Sequence, residues 1–345
     1  MAYTTIDDPS EYFTTLLYTG NATDNRNLTN SANAGDFKPD WLWLKERSST
    51  SSHQLHDSNR GTSFAVMSDS NAVEDEDANR VQAFQTNGFQ VGTASTVNQD
   101  GITMVAWQWK ANGGTTTTND ASATSVGNND SVIQANTTAG FSIVTFTSPG
   151  SGLTIAHGLG GKPDLIISKS RESTENWGVH TTLIDGSLDY LRLSETDAKG
   201  NSGFSLPTST VFGYNGSDDI DYIAYCFRSI QGYSKIGTYV GNNNANGTFI
   251  YLGFKAAWIM IKRTDSTSSW SIIDTKRDTH NIARNVMIAD GVGPESNYAA
   301  DYYDILSNGI KMRNTFGDHN NGNFIYMAFA ESPFVSSKGV PTTAR

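Results

Sequence analysis

The sequence predicts an all-β chain of three tandem, related β-sandwich modules of jelly-roll-like type, and three observations carry that prediction. The apolar runs are short, helical periodicity is scarce, and a pattern of paired lysines recurs three times at one spacing. Short runs rich in Ile, Val, Trp, Tyr and Phe, bounded by Gly, Asn, Pro or Ser, are the signature of strands. Charged residues make up only 17% of the chain, so Ser, Thr, Asn and 32 Gly must supply the polar surface. Those residues favour turns and strand edges over helices. With 345 residues, the chain also exceeds the length at which one hydrophobic core stops growing.

The repeat sets the module boundaries. Lys38-Pro39-Asp40-Trp41-Leu42-Trp43-Leu44-Lys45 is matched by Lys162-Pro163-Asp164-Leu165-Ile166-Ile167-Ser168-Lys169 and by Lys255-Ala256-Ala257-Trp258-Ile259-Met260-Ile261-Lys262. An arginine follows each, at Arg47, Arg171 and Arg263. Each copy closes on an apolar run with an alanine: Val105-Ala106-Trp107, Ile223-Ala224-Tyr225 and Met327-Ala328-Phe329. Modules are therefore expected at 1–112, 133–232 and 233–345. The Thr-, Ser-, Asn- and Gly-rich stretch 113–132 reads as an extended linker, because it has no core-forming capacity. Modules 2 and 3 abut at Gly232 and are expected to be held more rigidly than module 1.

Within this frame the chemistry is sparse. A formal net charge of −11 without a Lys/Arg cluster argues against a nucleic-acid partner. No run approaches the ~18 apolar residues of a membrane span, and the start lacks the basic and apolar regions of a secretory signal. The chain is thus expected to be made in a cytoplasm. Lone Cys226 sits in an apolar run and reads as a buried, inert thiol. The acidic clusters at Asp69–Asp77 and Asp218–Asp221 read as solvated loops, and no histidine spacing suits a metal, so neither metal nor cofactor is expected.

Four groups of residues stand out. Lys38, Lys45, Lys162, Lys169, Lys255 and Lys262 are expected to mark where a buried strand re-enters water, their stems covering apolar surface. Asp57 with Arg60, and Asp274 with Arg277, read as turns closed by a side-chain cap and a local ion pair. Asn87-Gly88 and Asn308-Gly309 read as tight turns. Trp107 and Trp109 share a strand face, either a core face or a platform for a sugar or a neighbouring subunit. In module 1, His53 occupies the position of Trp177 and Trp270, which questions any role common to all three copies.

Taken together, Tyr18-Thr19-Gly20-Asn21, Phe37-Lys38-Pro39-Asp40-Trp41, Ala139-Gly140-Phe141-Ser142-Ile143-Val144-Thr145, His157-Gly158-Leu159-Gly160, Tyr222-Ile223-Ala224-Tyr225-Cys226-Phe227 and the ending Tyr326–Phe334 resemble a family of marine bacteriophage repeat proteins of tail-fibre-like type. The resemblance implies a virion-associated, β-rich protein without catalytic residues, not an enzyme. A tail-fibre or receptor-binding component is the first expectation. Capsid decoration or a head fibre is the second, and a tailspike-type polysaccharide depolymerase the third. Its partners would be other virion proteins and a host-surface glycan, and a homo-oligomer, first of all a trimer, is expected.

Overall fold

The computed structural model describes residues 2–31, 37–298 and 302–342. Within them the chain is nearly all β, and one strand order recurs three times. Each module holds a large antiparallel sheet in which the first strand pairs with the last. The last strand pairs with the lysine-flanked strand, from which a meander continues outward. In module 1 this order is Phe13–Thr19, Thr103–Trp109, Trp41–Glu46, Gln54–Asp57 and Gly61–Val66. Module 2 repeats it as Phe141–Pro149, Asp218–Phe227, Leu165–Ser170, Gly178–Thr181 and Asp189–Arg192. Module 3 does so as Ser234–Asn242, Asn321–Pro333, Phe254–Arg263, Ser271–Asp274 and Asn285–Ile288.

A smaller sheet covers the outer face of each large one. It has three strands in modules 1 and 3 but only two, Leu153–Ala156 and Val211–Tyr214, in module 2. Three separate clusters fill the space between the large and small sheets. The opposite faces of all three large sheets meet in one further core. There Trp41, Trp107 and Trp109 pack with Ile143, Ile167 and Tyr225 and with Trp258, Met260 and Phe329. Trp41 stacks on Tyr225 at 4.5 Å, and Trp109 meets Trp258 edge-on at 5.5 Å. Strands buried on both faces explain the near-continuous apolar runs. Of the two readings of Trp107 and Trp109, the core face holds and the platform does not, because both are fully buried at this centre.

Three expectations need correction. The stretch 113–132 is no extended linker. It carries the strand Thr117–Asn119 and the helical turn Ala121–Thr124, and Thr117–Asn119 pairs with Ser131–Asn136 at the edge of the module 2 sheet. Side-chain hydrogen bonds do the work a core would do: Asp120 caps the turn at Ala123 N, and Asn119 donates to Val126 O. The alanine shared by the closing strands is shared by only two. Lys45 lies opposite Val105, Lys169 opposite Ile223 and Lys262 opposite Ile325, so Tyr326 takes the place of Ala106 and Ala224. Gly237 makes room for it, since a Cβ there would lie 2.6 Å from the Tyr326 hydroxyl. Finally, Gly309 is required by close approach and not by a left-handed turn, for its Cβ would fall 2.2 Å from Ile250 O.

Candidate functional site

The repeat motif builds the contacts between modules. The first lysine of each pair reaches the surface as expected, with Lys162 exposed and Lys38 and Lys255 half-buried. The second does not. Lys45, Lys169 and Lys262 are at most 1% exposed. Each donates to the carbonyl of the residue that follows it, Glu46, Ser170 or Arg263. Lys45 also donates to Val292 O of module 3, and Lys262 to Thr196 O of module 2. Burial pushes all three ammonium groups down to about 8. His53, Trp177 and Trp270 likewise perform one task. Their ring nitrogens meet the carbonyls of Ile288, Met67 and Arg192, at equivalent positions on the neighbouring module, at 2.9, 2.7 and 2.8 Å. Trp43 Nε1 donates to His53 Nδ1, so His53 Nε2 carries the proton and donates to Ile288 O.

The Asp-x-x-Arg turns form as expected, with Asp57 Oδ1 accepting from Asn59 N and Arg60 N, and Asp274 Oδ1 from Lys276 N and Arg277 N. They are not surface turns, however. All four charged side chains are fully buried where two modules meet. Tyr225 of module 2 donates to Asp57 at 2.8 Å, and Trp107 of module 1 donates to Asp274 at 3.0 Å. Glu74 bridges Arg60 to Arg171 of module 2, and Glu295 bridges Arg277 to Arg47 of module 1. Burial raises both carboxyls, but the arginine hydrogen bonds outweigh it and hold them below the usual range.

The junction of modules 2 and 3 replaces this set as a unit. Thr181, Ile184 and Lys199 stand where Asp57, Arg60 and Glu74 stand in module 1. Across from them, Met327 replaces Tyr225 and Thr264 replaces Arg171. The backbone contact is retained, as Lys199 N donates to Thr264 O just as Glu74 N donates to Arg171 O. Ile184 packs on the central core, and Lys199 turns to Asp185 and Asp189 of its own module. The pair of modules expected to be held most rigidly is thus the pair without the charged lock.

The two-stranded second sheet leaves part of module 2 open. A cavity of about 330 Å³ lies there over the outer face of the large sheet, lined by Glu175, Asn176, His180, Tyr190, Arg192, Phe204 and Tyr214 among others. Strand alternation aims them: Val179 and Leu191 face the central core, while His180 and Tyr190, paired across the strands, face outward. Phe204 lies 5.1 Å from His180 and 5.6 Å from Tyr214. The Arg192 guanidinium sits 5.8 Å above the Tyr190 ring and pairs with Asp197. Gly178 and Gly200 shape the cavity, because a Cβ at either would lie 2.6 Å from His180 Nε2 or from the Tyr190 ring. His180 is 7% exposed with Nδ1 unpartnered, and Asn176 Oδ1 is also buried without a partner. Aromatic faces beside unsatisfied polar atoms equip the cavity to hold a small polar ligand.

None of these cavity residues except Trp177 stood out in the repeat, and Trp177 did so only as the position shared with His53 and Trp270. The signal available was the alternation through Leu188–Leu193, which puts Tyr190 and Arg192 on one face. Cys226 is buried, as expected, with its thiol pushed up to about 12. Among the described residues no group of three His, Cys, Asp or Glu is placed to hold a metal ion, and no helix is long and apolar enough to cross a membrane.

Fold and contacts together define an all-β protein in which three copies of one sheet arrangement close around a common core. The chain belongs to the family described as a domain of unknown function, DUF7483, whose model matches residues 8–333. No curated protein matches it.

Proposed function

We propose that this protein is a virion component of a bacteriophage, a tail-fibre or receptor-binding protein that recognises a host-surface ligand and does not transform it. The observation that supports this reading is the cavity on module 2 where the second sheet has two strands, which sets the aromatic rings of Tyr190, Phe204 and Tyr214 beside polar groups. Glycoside cleavage normally calls for two carboxyl groups flanking the scissile bond. Among the described residues, Glu175 is the one carboxylate that lines this cavity, which favours recognition over depolymerisation there. As a homotrimer the protein would present three such cavities, and linked weak sites gain avidity through effective concentration.

Localisation within purified particles tests the assignment. Density for this chain at the tail tip or fibre is expected. Density on the head would favour capsid decoration, and absence from the particle would refute both. Sedimentation of the purified chain at the mass of three copies is the companion result.

A further inference from the structure

We infer that the module 2 cavity takes a neutral, hydroxyl-rich saccharide unit, stacked on Tyr190 and Phe204 and read by Glu175, Asn176 and His180. This inference rests on the recognition function proposed above and specifies its ligand. Three features select the class. The aromatic rings offer flat apolar faces, which suit the C–H face of a sugar ring. The polar atoms are mixed in kind: Asn176 Oδ1 accepts, as does the Glu175 carboxylate beside the Ser173, Ser217 and Tyr222 hydroxyls it already holds, and Arg192, paired with Asp197, donates. Burial pushes His180 down to about 4, so at neutral pH its ring offers one donor and one acceptor. A ligand carrying many hydroxyls, each both donor and acceptor, satisfies such a set.

The charges argue against the alternatives. A cation seeking the aromatic rings would meet Arg192, already seated over Tyr190. An anion would meet Glu175 inside the cavity and a chain of net charge −11 around it. A wholly apolar ligand would leave Asn176 Oδ1 and His180 Nδ1 buried and unpaired. The cavity, about 330 Å³, lies at the small end of the ~300–1,000 Å³ typical of small-molecule sites, so one end or branch of a glycan is what it would hold.

The test titrates the full chain with glucose, galactose, mannose, N-acetylglucosamine and their short oligomers, with N-acetylneuraminate and choline as charged probes. Saturation-transfer NMR and calorimetry provide the readout. At least one neutral saccharide is expected to saturate, with a loss of tenfold or more in Tyr190→Ala and several-fold in Glu175→Gln. Gly200→Ala gives a second route to the same loss, by displacing the Tyr190 ring without deleting it. Unchanged thermal unfolding of the variants shows that the fold is retained. Binding of none of the neutral probes, binding of the charged probes only, or binding indifferent to Tyr190→Ala would overturn the inference. Host-cell binding by the same chain separates the two claims. Cells bound by wild type and Tyr190→Ala alike would sink the cavity but keep the function, and no cell binding would sink the function.

Discussion

Replacing Asp57 and Arg60 together should harm the protein less than replacing either alone. Asp57 and Arg60 are an ion pair with no solvent exposure at the junction of modules 1 and 2. Asp57→Thr leaves the Arg60 guanidinium buried with Glu74, Leu55 O and the Tyr225 hydroxyl as its remaining partners. Arg60→Ile leaves the Asp57 carboxylate buried against the Tyr225 hydroxyl and its own turn. Breaking a buried pair from one side costs about 3–5 kcal/mol, whereas exchanging both partners for groups that pack is often close to neutral. Module 2 shows which groups pack, because Thr181 and Ile184 occupy those positions there.

For 345 residues, an unfolding entropy of ~2.1 cal/mol/K per residue gives about 0.7 kcal/mol/K. Each single substitution should then lower Tm by about 4–7 °C. The double variant, followed by tryptophan fluorescence, should fall by no more than about 3 °C, and adding Tyr225→Met, after Met327, should recover part of that. A coupling of about 3 kcal/mol or more between the two sites is the quantity sought. If the double variant loses the sum of the singles, the two residues do not act as a unit and the reasoning fails.

Three further outcomes follow from the same contacts. Burial pushes His53 and His56 down to about 3 and His157, His180 and His319 to about 4, all below the ~6.5 of an unfolded histidine. The unfolded chain therefore binds more protons below pH ~6.5, so Tm should fall steadily from pH 6.5 towards pH 4, and a flat profile would contradict the burial. For Lys45, Lys169 and Lys262 the folded value of about 8 lies below the ~10.4 of the unfolded chain. Their contribution should make stability rise between pH 8 and 10, and the rise measured in urea should shrink in Lys45→Met. His53→Trp, which installs the residue of the other two modules, removes the acceptor of Trp43 Nε1 and should cost about 1–3 kcal/mol by denaturant titration.

The triplication was legible because the two lysines keep their spacing while the residues between them change. Their meaning was not, since a lysine beside an apolar run reads as the point where a strand meets water. Lys45 and Lys262 are buried by a neighbouring module, and nothing local in sequence announces a neighbour 66 or more residues away. The Asp-x-x-Arg turns were legible for the same reason that they fail as a guide to burial: the cap and ion pair are local, whereas Tyr225 and Trp107 come from 168 and 167 residues away. His53 looked like a break in the pattern because the comparison was by residue type. What the fold keeps is one ring N–H aimed at one carbonyl, which imidazole and indole both supply.

The departures of module 2 from the repeat lie in one place. Lys199 stands where Glu74 and Glu295 lock the other junctions, and it ties down Asp185 and Asp189 instead. Asp189 and Lys199 are immediately followed by Tyr190 and Gly200, which pair across the adjacent strands. In modules 1 and 3 the corresponding pairs are Ala65 with Asp75 and Val286 with Ser296. Those smaller pairs lie in modules whose second sheet has three strands. Module 2 instead sets a large ring against a glycine, under a second sheet that is one strand short. The absence of the charged lock and the presence of the cavity thus coincide in one stretch of module 2, where Lys199 turns to its own module and the adjacent Gly200 leaves room for the Tyr190 ring.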